Sequence, residues 1–295
     1  MNVAVIDIGG TFIKYAFMNE NAEFISRGKL PTPMSGRDEF IEALAKIYQS
    51  MPNAEGIAIS MPGIIDSKRG YCKTCGALKY NDDFYIVEAL QKKCPVKITM
   101  ENDAKCAAIA EVSQGSLKDV DDSFVMIFGT GIGGTFIKNR QVHYGHNFAA
   151  GEVSFVITDK DGGLIESDIF GQQCSAIALC KMYAKVKNLP DDFIDGVEVF
   201  NSINAGDSTA LDCLNNFTKR IAVQISNIQM LLAPQKIAIG GGISVQPVFI
   251  DYIRKNINEI YDNADFKFQR PEVVACQFQN DANLIGALQF YISNG

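Results

Sequence analysis

The 295-residue sequence lacks the features that mark several classes of protein. It has no low-complexity tract, and its 47% of apolar and 21% of charged residues exclude a disordered, collagen-like or coiled-coil chain. It has no apolar run of about 18 residues, which excludes a membrane-spanning helix. Its first residues lack the basic region and cleavage site of a signal peptide. We therefore expect a globular protein of the cytoplasm.

Positive charge is also scarce in this sequence. The formal net charge is −7, so the chain has no overall electrostatic attraction for DNA, RNA or anionic lipid. If the protein binds phosphate groups, groups at the binding site must hold them, since the overall charge does not attract them. The eight cysteines come without a secretory signal, and we expect them to remain thiols in a reducing cytosol.

Short apolar runs rich in β-branched residues alternate with amphipathic helical stretches, which predicts an α/β fold. At roughly 100–200 residues per domain, the length predicts two domains or one large one. The polar, turn-rich segment Gly115–Asp122 is the candidate hinge. The clearest predicted strands are Val3–Ile8, Phe12–Phe17, Gly56–Ser60, Val96–Met100, Ser123–Phe128 and Lys236–Ile239, and the clearest helices Arg37–Met51, Ile86–Lys93, Ala104–Gln114, Ser208–Leu232 and Ala282–Ser293.

An internal repeat gives the first indication of function. The heptapeptide Ile8–Lys14 recurs, residue for residue, at Ile132–Lys138. The simplest interpretation is two related subdomains that each open with a strand, a glycine turn and a second strand. Two such turns facing each other across a cleft would suit a phosphate chain held by backbone amides.

The first chemistry-bearing segment is Asp7–Thr11. Glycines let the backbone approach an anion, the Thr11 hydroxyl can donate to a phosphate, and Asp7 could hold Mg²⁺ through water. A plain hairpin with an aspartate in its turn explains this segment alone equally well.

The second segment, Gly129–Gly134, matches the pattern G-x-G-x-x-G. A dinucleotide-binding fingerprint needs a helix to begin at the third glycine, whereas Thr135-Phe136-Ile137 predicts a strand. This context argues against an oxidoreductase and leaves a phosphate-binding turn.

The third segment, Glu101–Ala104, lies where a predicted strand ends and a helix begins, a common place for site residues in α/β sheets. Asp103 can cap the helix and still accept a proton from a substrate hydroxyl, and Asn102 can donate and accept hydrogen bonds to a sugar. For an isolated Asn-Asp pair, a mere helix cap would be the simpler interpretation.

The fourth segment, Gly240–Gly242, contains three successive glycines, which indicate a close backbone approach to a flat ligand ring or to another part of the chain. A tight structural turn is the alternative.

Taken in this order, the four segments resemble the ROK family of sugar kinases and sugar-responsive repressors, within the actin/hexokinase-like ATPase superfamily. The resemblance extends from Asp7 to about Gly286. It implies an α/β, two-domain actin/hexokinase-like (ribonuclease H-like) fold with a central cleft. Residues 1–118, completed by helix 282–295, would form the sugar and phosphate domain, and residues 119–281 the nucleotide-binding and dimerisation domain.

The resemblance also implies roles for individual residues. Asp103 matches the family's catalytic base, and Asn102 matches the asparagine that holds the sugar. Glu152 matches the glutamate of the family motif G-E-x-G-H, and Glu166 lies at the end of a segment like the family's cysteine-rich one, so both would contact sugar hydroxyls. The nucleotide and its phosphates would be bound by Asp7, Gly9, Gly10, Thr11, Lys14, Gly129, Thr130, Gly131, Gly133, Gly134, Gly240, Gly241 and Gly242, with Asp7 also holding Mg²⁺ through water.

Two departures from the family pattern concern its zinc site and its sugar. The zinc histidine is replaced by Phe155, and no cysteine lies between Cys106 and Cys174, so we expect no structural zinc. The missing histidine also removes a usual contact near C1 and C2 of the sugar, and an aromatic Phe155 would tolerate a β-glucoside there.

A zinc set could also be assembled from the pairs Cys72/Cys75 and His143/His146. The histidines are closer in sequence than is usual for zinc, and the pairs fall in different predicted domains. Thiols and a polar loop are the better explanation.

The implied activity is transfer of the ATP γ-phosphoryl group to a sugar hydroxyl, the 6-hydroxyl of glucose, N-acetylmannosamine or a β-glucoside. The implied partners are the sugar, ATP, Mg²⁺ and a second copy of the chain, with no nucleic acid and no membrane. The alternative is a non-catalytic sugar sensor. Family repressors carry a DNA-binding domain ahead of the sugar domain, whereas only six residues precede Asp7 here, so such a sensor would act through a protein partner.

Overall fold

A computed structural model of the protein describes residues 1–159, 161–190 and 195–294. Its mixture of helices and mixed sheets confirms the predicted α/β class. Within these residues, no helix combines the length and the apolar character needed to cross a membrane. The eight cysteines all lie in the described residues, and none of them forms a disulfide bond.

The chain divides into two compact units, each with its own hydrophobic core. Unit 1 contains Met1–Gly115, Tyr144–Ala150 and Asp281–Gly295. Unit 2 contains Ser116–His143 and Gly151–Asn280. The chain therefore enters unit 2 after Gly115, returns to unit 1 for the short segment Tyr144–Ala150, and returns to it again for the last helix.

Unit 1 is built on a five-stranded mixed sheet and a smaller three-stranded sheet. Its strands are β1 (Asn2–Ile8), β2 (Phe12–Asn19), β3 (Phe24–Pro31), β4 (Gly56–Met61), β5 (Ile64–Asp66), β6 (Tyr71–Thr74), β7 (Phe84–Tyr85) and β8 (Lys97–Asn102). Its helices are α1 (Arg37–Gln49), α2 (Ile86–Gln91), α3 (Asp103–Gln114) and, from the end of the chain, α9 (Ala282–Ser293).

The main sheet of unit 1 has the strand order β3-β2-β1-β4-β8. The pairs β3/β2 and β2/β1 are antiparallel, and β1/β4 and β4/β8 are parallel. The carboxyl ends of β1, β4 and β8 consequently lie at one edge, where sites of α/β proteins usually form. Helices α3 and α9 pack against each other, and α9 also packs against these three strands.

Unit 2 repeats this arrangement. Its sheet has the order β11-β10-β9-β12-β13, with the pairs involving β10 antiparallel and those involving β12 parallel. The strands are β9 (Ser123–Phe128), β10 (Ile132–Lys138), β11 (Gln141–Val142), β12 (Lys236–Gly240) and β13 (Val273–Ala275). The helices are α4 (Phe170–Cys174), α5 (Ala176–Val186), α6 (Gly196–Asn204), α7 (Ser208–Leu232) and α8 (Pro247–Asp262).

The two identical heptapeptides do not occupy equivalent places in these two sheets. Ile8–Lys14 spans the end of β1, the turn and the start of β2, whereas Ile132–Lys138 lies wholly within β10. The turn of unit 2 is Gly129–Gly131, which the sequence repeat does not include. Both units thus open with a strand, a turn and a strand, but Gly133 and Gly134 belong to a strand and not to the turn.

Candidate functional site

The carboxyl edge of the unit 1 sheet carries a row of polar residues. Asp7 lies directly across from Ser60, and Ser60 from Glu101. Asp7 Oδ1 accepts hydrogen bonds from Ser60 Oγ at 2.9 Å and from Asn283 Nδ2 at 3.0 Å. Burial raises the pKa of Asp7, and the two hydrogen bonds partly oppose this by favouring the carboxylate. Asn283, from the last helix, thus completes the surroundings of Asp7.

Thr32 stabilises the glycine turn between β1 and β2 through two hydrogen bonds. The Thr32 Oγ1 donates to the Gly9 carbonyl at 2.7 Å, and its backbone amide donates to the Thr11 carbonyl at 3.0 Å. The Gly9 amide is used within the turn, since it donates to the Phe12 carbonyl. Gly10 and Thr11 are exposed, as is Lys14 on β2. These three residues are therefore the part of the motif that can face a phosphate.

The junction of β8 and α3 places Asn102 and Asp103 side by side. Asn102 Oδ1 accepts from the Lys105 amide at 3.1 Å, and Asn102 Nδ2 donates to the Gly63 carbonyl at 2.9 Å and to Asp103 Oδ1 at 3.0 Å. The expectation that Asp103 caps the helix is therefore wrong. Asn102 is the N-cap because its extended backbone lets its side chain reach Lys105, and Asp103 is the first helical residue.

Asp103 is oriented by this arrangement and remains half-buried. Its Oδ1 accepts from the Ala104 amide at 2.8 Å in addition to the Asn102 side chain. A carboxylate fixed in this way can accept a proton from a hydroxyl placed beside it.

Glu101 precedes this pair and is fully buried. Its Oε1 accepts from the Asn102 amide at 2.6 Å, and its Oε2 accepts from the Tyr144 hydroxyl at 2.6 Å. Burial raises the pKa of Glu101, while these hydrogen bonds favour the carboxylate. Burial together with the Glu101 charge raises the pKa of Tyr144, which therefore stays a hydroxyl donor at neutral pH.

In unit 2, Gly133 and Gly240, which belong to two of the predicted motifs, lie at the same level of the two strands that flank β9. Gly133 lies across from Ile127, and Ile127 from Gly240. A Cβ on Gly134 would lie 2.3 Å from the Gly151 carbonyl oxygen, so the backbone of the segment that leads to Glu152 crosses β10 there. Gly134 is thus explained by a backbone crossing and not by a turn around phosphate.

A cavity of about 350 Å³ lies within unit 2, between the turn and the third glycine motif. Gly129 and Gly242 line it together with apolar side chains, among them Phe128, Leu179 and Phe200. Between them, Gly241 has φ +90°, and a Cβ there would lie 2.1 Å from the Phe128 carbonyl oxygen. Asp195 and Gln246 add two polar side chains to this otherwise glycine- and apolar-lined cavity, and such a lining suits a flat ring. Thr130 and Gly131 complete the turn, closed by the Gly129 amide donating to the Gly131 carbonyl at 2.9 Å.

The two predicted sugar-binding glutamates lie on short 3₁₀ turns of unit 2. Glu152 precedes the turn Val153–Phe155, and Phe155 is 59% exposed. Glu166 begins the turn Glu166–Asp168 and is exposed. An isolated antiparallel bridge between Ile157 and Ile169 joins the two segments that carry them.

Comparison with known proteins now decides the family. The sequence model described as "ROK family" matches residues 3–293. The chain belongs to the ROK family. It is 30% identical to the "Beta-glucoside kinase" of Klebsiella pneumoniae over 292 residues, covering 99% of this chain and 96% of the relative. It is 28% identical to the "Beta-glucoside kinase" of Listeria innocua, with 99% and 98% covered.

Among solved structures, the fold matches a ROK family protein from Streptococcus pneumoniae TIGR4 in complex with sucrose. The TM-score is 0.90 at 27% identity, covering 100% of this chain and 99% of the other. These similarities confirm the predicted family and, with it, the predicted actin/hexokinase-like fold.

In the residues that the structure describes, the zinc segment of the ROK family has no counterpart. No group of three or more histidine, cysteine, aspartate or glutamate residues in the described part of the chain could hold a metal ion. Cys72 and Cys75 are buried in unit 1, which also contains His146, whereas His143 belongs to unit 2.

Asp7 fits the water-mediated magnesium contact that the ROK resemblance implies. Both of its hydrogen bonds fall on Oδ1, so Oδ2 is the oxygen that would face a water of the ion. A carboxylate that contacts the ion through water is a usual arrangement for Mg²⁺.

Several residues around the ROK motifs gave no signal in the sequence. Ser60 and Asn283 orient Asp7, Gly63 orients Asn102, and Tyr144 holds Glu101. Gly63 follows the predicted strand Gly56–Ser60, and nothing in the sequence marks it as a partner of Asn102. The other contacts join residues that are distant in sequence, so only the fold reveals them.

Proposed function

We propose that the protein is an ATP-dependent sugar kinase that transfers the γ-phosphoryl group of ATP to the 6-hydroxyl of a hexose or hexoside. The observation that carries this proposal is the β8–α3 junction, where Asn102 and Asp103 form a hydrogen-bonded pair at the carboxyl edge of the sheet. The β-glucoside kinase relatives, which match the chain over almost its whole length, support a sugar phosphotransferase.

In the proposed reaction, Asp103 is the general base. The sugar oxygen forms a bond to the γ-phosphorus, the bond from that phosphorus to the bridging oxygen breaks, and ADP leaves. The hydroxyl proton passes to the Asp103 carboxylate. Because the transition state of phosphoryl transfer is loose, this proton moves late, when the attacking oxygen has become acidic. Asn102, Glu152 and Glu166 would orient the sugar.

The nucleotide would be bound mainly by unit 2. Its apolar cavity beside Gly242 would take the adenine ring, and Gly129–Gly131 would face the phosphates. In unit 1, Gly10, Thr11 and Lys14 would contribute further phosphate contacts. Mg²⁺, held by Asp7 through water, would neutralise charge on the phosphates when bound.

Among sugars, we favour a β-glucoside. A β-glucoside carries a substituent on C1, often apolar, where a free hexose carries a hydroxyl. Phe155 replaces the family's histidine near C1 and C2, and its exposed ring offers an apolar surface to such a substituent. The names of the relatives in Klebsiella pneumoniae and Listeria innocua support the same class.

We also propose a cytoplasmic homodimer without nucleic-acid or membrane partners. This part of the proposal is supported by the family resemblance and by the acidic net charge.

The test is an ADP-release screen over glucose, N-acetylglucosamine, N-acetylmannosamine and an aryl β-glucoside, with wild type and Phe155→His. We expect the highest kcat/KM for the aryl β-glucoside in the wild type. Phe155→His should lower the kcat/KM for the aryl β-glucoside. It should also reduce the preference for this compound over glucose, since the imidazole replaces apolar contact with a hydrogen-bonding group. Activity on free hexoses alone would contradict the β-glucoside assignment. Sugar binding without ADP release from any compound would contradict the kinase and support a sensor.

A further inference from the structure

The segment Tyr144–Ala150 forms a closed loop that belongs to unit 1, although the residues on both sides of it belong to unit 2. The Ala150 amide donates to the Tyr144 carbonyl at 3.3 Å, which closes the loop. Phe148 has φ +65°, a left-handed conformation that an aromatic residue adopts only where its surroundings hold it. We call this segment the return loop.

The first anchor of the return loop is the hydrogen bond from the Tyr144 hydroxyl to Glu101 Oε2, at 2.6 Å. The nearby Ser67 side chain also favours the carboxylate form of Glu101 and so lowers its pKa. Glu101 is 0% exposed, so its carboxylate depends on these donors to compensate for the loss of water.

The second anchor is Lys105, whose Nζ donates to the Phe148 carbonyl at 3.2 Å. Lys105 is 1% exposed, which is rare for a lysine and requires a fixed partner. The rings of Tyr144 and Phe148 meet edge to face, with their centroids 5.9 Å apart. The two anchored residues therefore support each other within the loop.

Both anchors come from the same strand–helix junction as Asn102 and Asp103. Glu101 is the residue before this pair, and its Oε1 also accepts from the Asn102 amide. Lys105 lies in the first turn of α3, and its backbone amide donates to the Asn102 side chain. Each anchor thus contacts the Asn102 end of the junction with one group and the return loop with another.

We propose that Glu101 and Lys105 are positioning residues for the sugar. They fix the return loop on the junction that carries Asn102 and Asp103. This inference rests on the proposed kinase function. Neither side chain is exposed, so neither contacts the sugar or nucleotide directly, and both act through Tyr144 and Phe148.

The test uses Tyr144→Phe and Lys105→Met, which each remove one anchor and keep most of the side-chain volume. We expect each variant to raise the KM for the sugar about 5- to 50-fold, since one charge-assisted hydrogen bond is lost. The KM for ATP should stay within twofold. In the double variant the increase should be smaller than the product of the single increases, because both anchors hold the same loop.

Tyr71→Phe is the matched control. The Tyr71 hydroxyl donates to Asp83 Oδ1 at 2.6 Å, so this variant also loses a tyrosine–carboxylate hydrogen bond of unit 1, but away from the junction. Its KM for the sugar should equal that of the wild type. Equal increases in the KM for sugar and for ATP in the two anchor variants, or no increase, would overturn the inference.

Hydrogen–deuterium exchange separates this inference from the proposed function, since it needs no activity. Amides of residues 144–150 should exchange faster in Tyr144→Phe and Lys105→Met than in wild type and Tyr71→Phe. Unchanged exchange in both anchor variants would refute the anchoring, whatever the activity. A wild type that phosphorylates no sugar would refute the proposed function, and exchange would still decide whether the two residues hold the loop.

Discussion

At the scale of single residues, Asp103 shows how hydrogen bonds can fix the orientation of a carboxylate that is only half-buried. The Ala104 amide and the Asn102 side chain both donate to its Oδ1, so its orientation is fixed by neighbours in sequence. Asn102 is itself fixed by the Gly63 carbonyl and by capping α3. A short chain of hydrogen bonds therefore connects the turn between β4 and β5 to the proposed base.

Asp103→Asn is the most direct test of this residue. Asparagine keeps the size of the side chain and an acceptor oxygen but cannot take up the proton of the sugar hydroxyl. We expect kcat to fall about 10²- to 10⁴-fold with little change in ATP affinity. Steady-state kinetics and titration calorimetry with a non-hydrolysable ATP analogue measure the two quantities.

Asp38→Asn serves as the control for this variant, because Asp38 also lies in the first turn of a unit 1 helix. Its kcat should be that of the wild type. If Asp103→Asn keeps near-full activity, another group accepts the proton and the assignment is incorrect.

At the scale of secondary structure, strong periodicity predicted the elements well. The limits of α7 and α9 agree with the predicted helices, and the apolar residues Leu214, Phe217 and Ile221 are buried in α7. The sequence did not predict β3 or the small sheet β5-β6-β7, since these strands are short or largely exposed and lack a clear alternation. The Asn102–Asp103 pair was predictable because it marks a strand end, whereas the return loop depends on contacts between distant residues.

The crossing of β10 by Gly151 can be tested with Gly134→Ala. The added Cβ would lie 2.3 Å from the Gly151 carbonyl oxygen, so one backbone must move. We expect the free energy of unfolding to fall by about 1–3 kcal/mol, the usual cost of overpacking. Urea unfolding followed by circular dichroism measures it.

Gly163→Ala is the control for this substitution, because a Cβ on Gly163 meets no atom within 4 Å. Its unfolding should match that of the wild type within about 0.5 kcal/mol. If Gly134→Ala is equally harmless, the close crossing does not exist in solution.

At the scale of the whole molecule, each unit is assembled from distant parts of the chain. Unit 1 needs α9, which packs on α3 so closely that a Cβ on Gly286 would lie 1.7 Å from the Cys106 carbonyl oxygen. Much of α3 is alanine, including Ala107 and Ala110, and these small side chains allow the two helices to approach. Sequence periodicity predicted both helices but could not predict how closely they pack.

Gly286→Ala should therefore weaken unit 1 more than unit 2. Hydrogen–deuterium exchange should become faster in α3 and in the strands β1 and β4, and remain as in the wild type in α7. Gly134→Ala should give the reverse pattern, because its crossing lies in unit 2. Equal acceleration in both units for both variants would show that the units unfold as one, contrary to this expectation.

The late position of α9 has a consequence for the biosynthesis of the protein. At roughly 5–20 residues per second, a ribosome needs on the order of ten seconds or more to proceed from Gly115 to Asp281. During that interval α3 lacks the helix that covers it, and Asp7 lacks the Asn283 amide. The strands of unit 1 are synthesised first, but α9 follows only after unit 2 has been translated. The part of the protein made first is therefore the last to be completed.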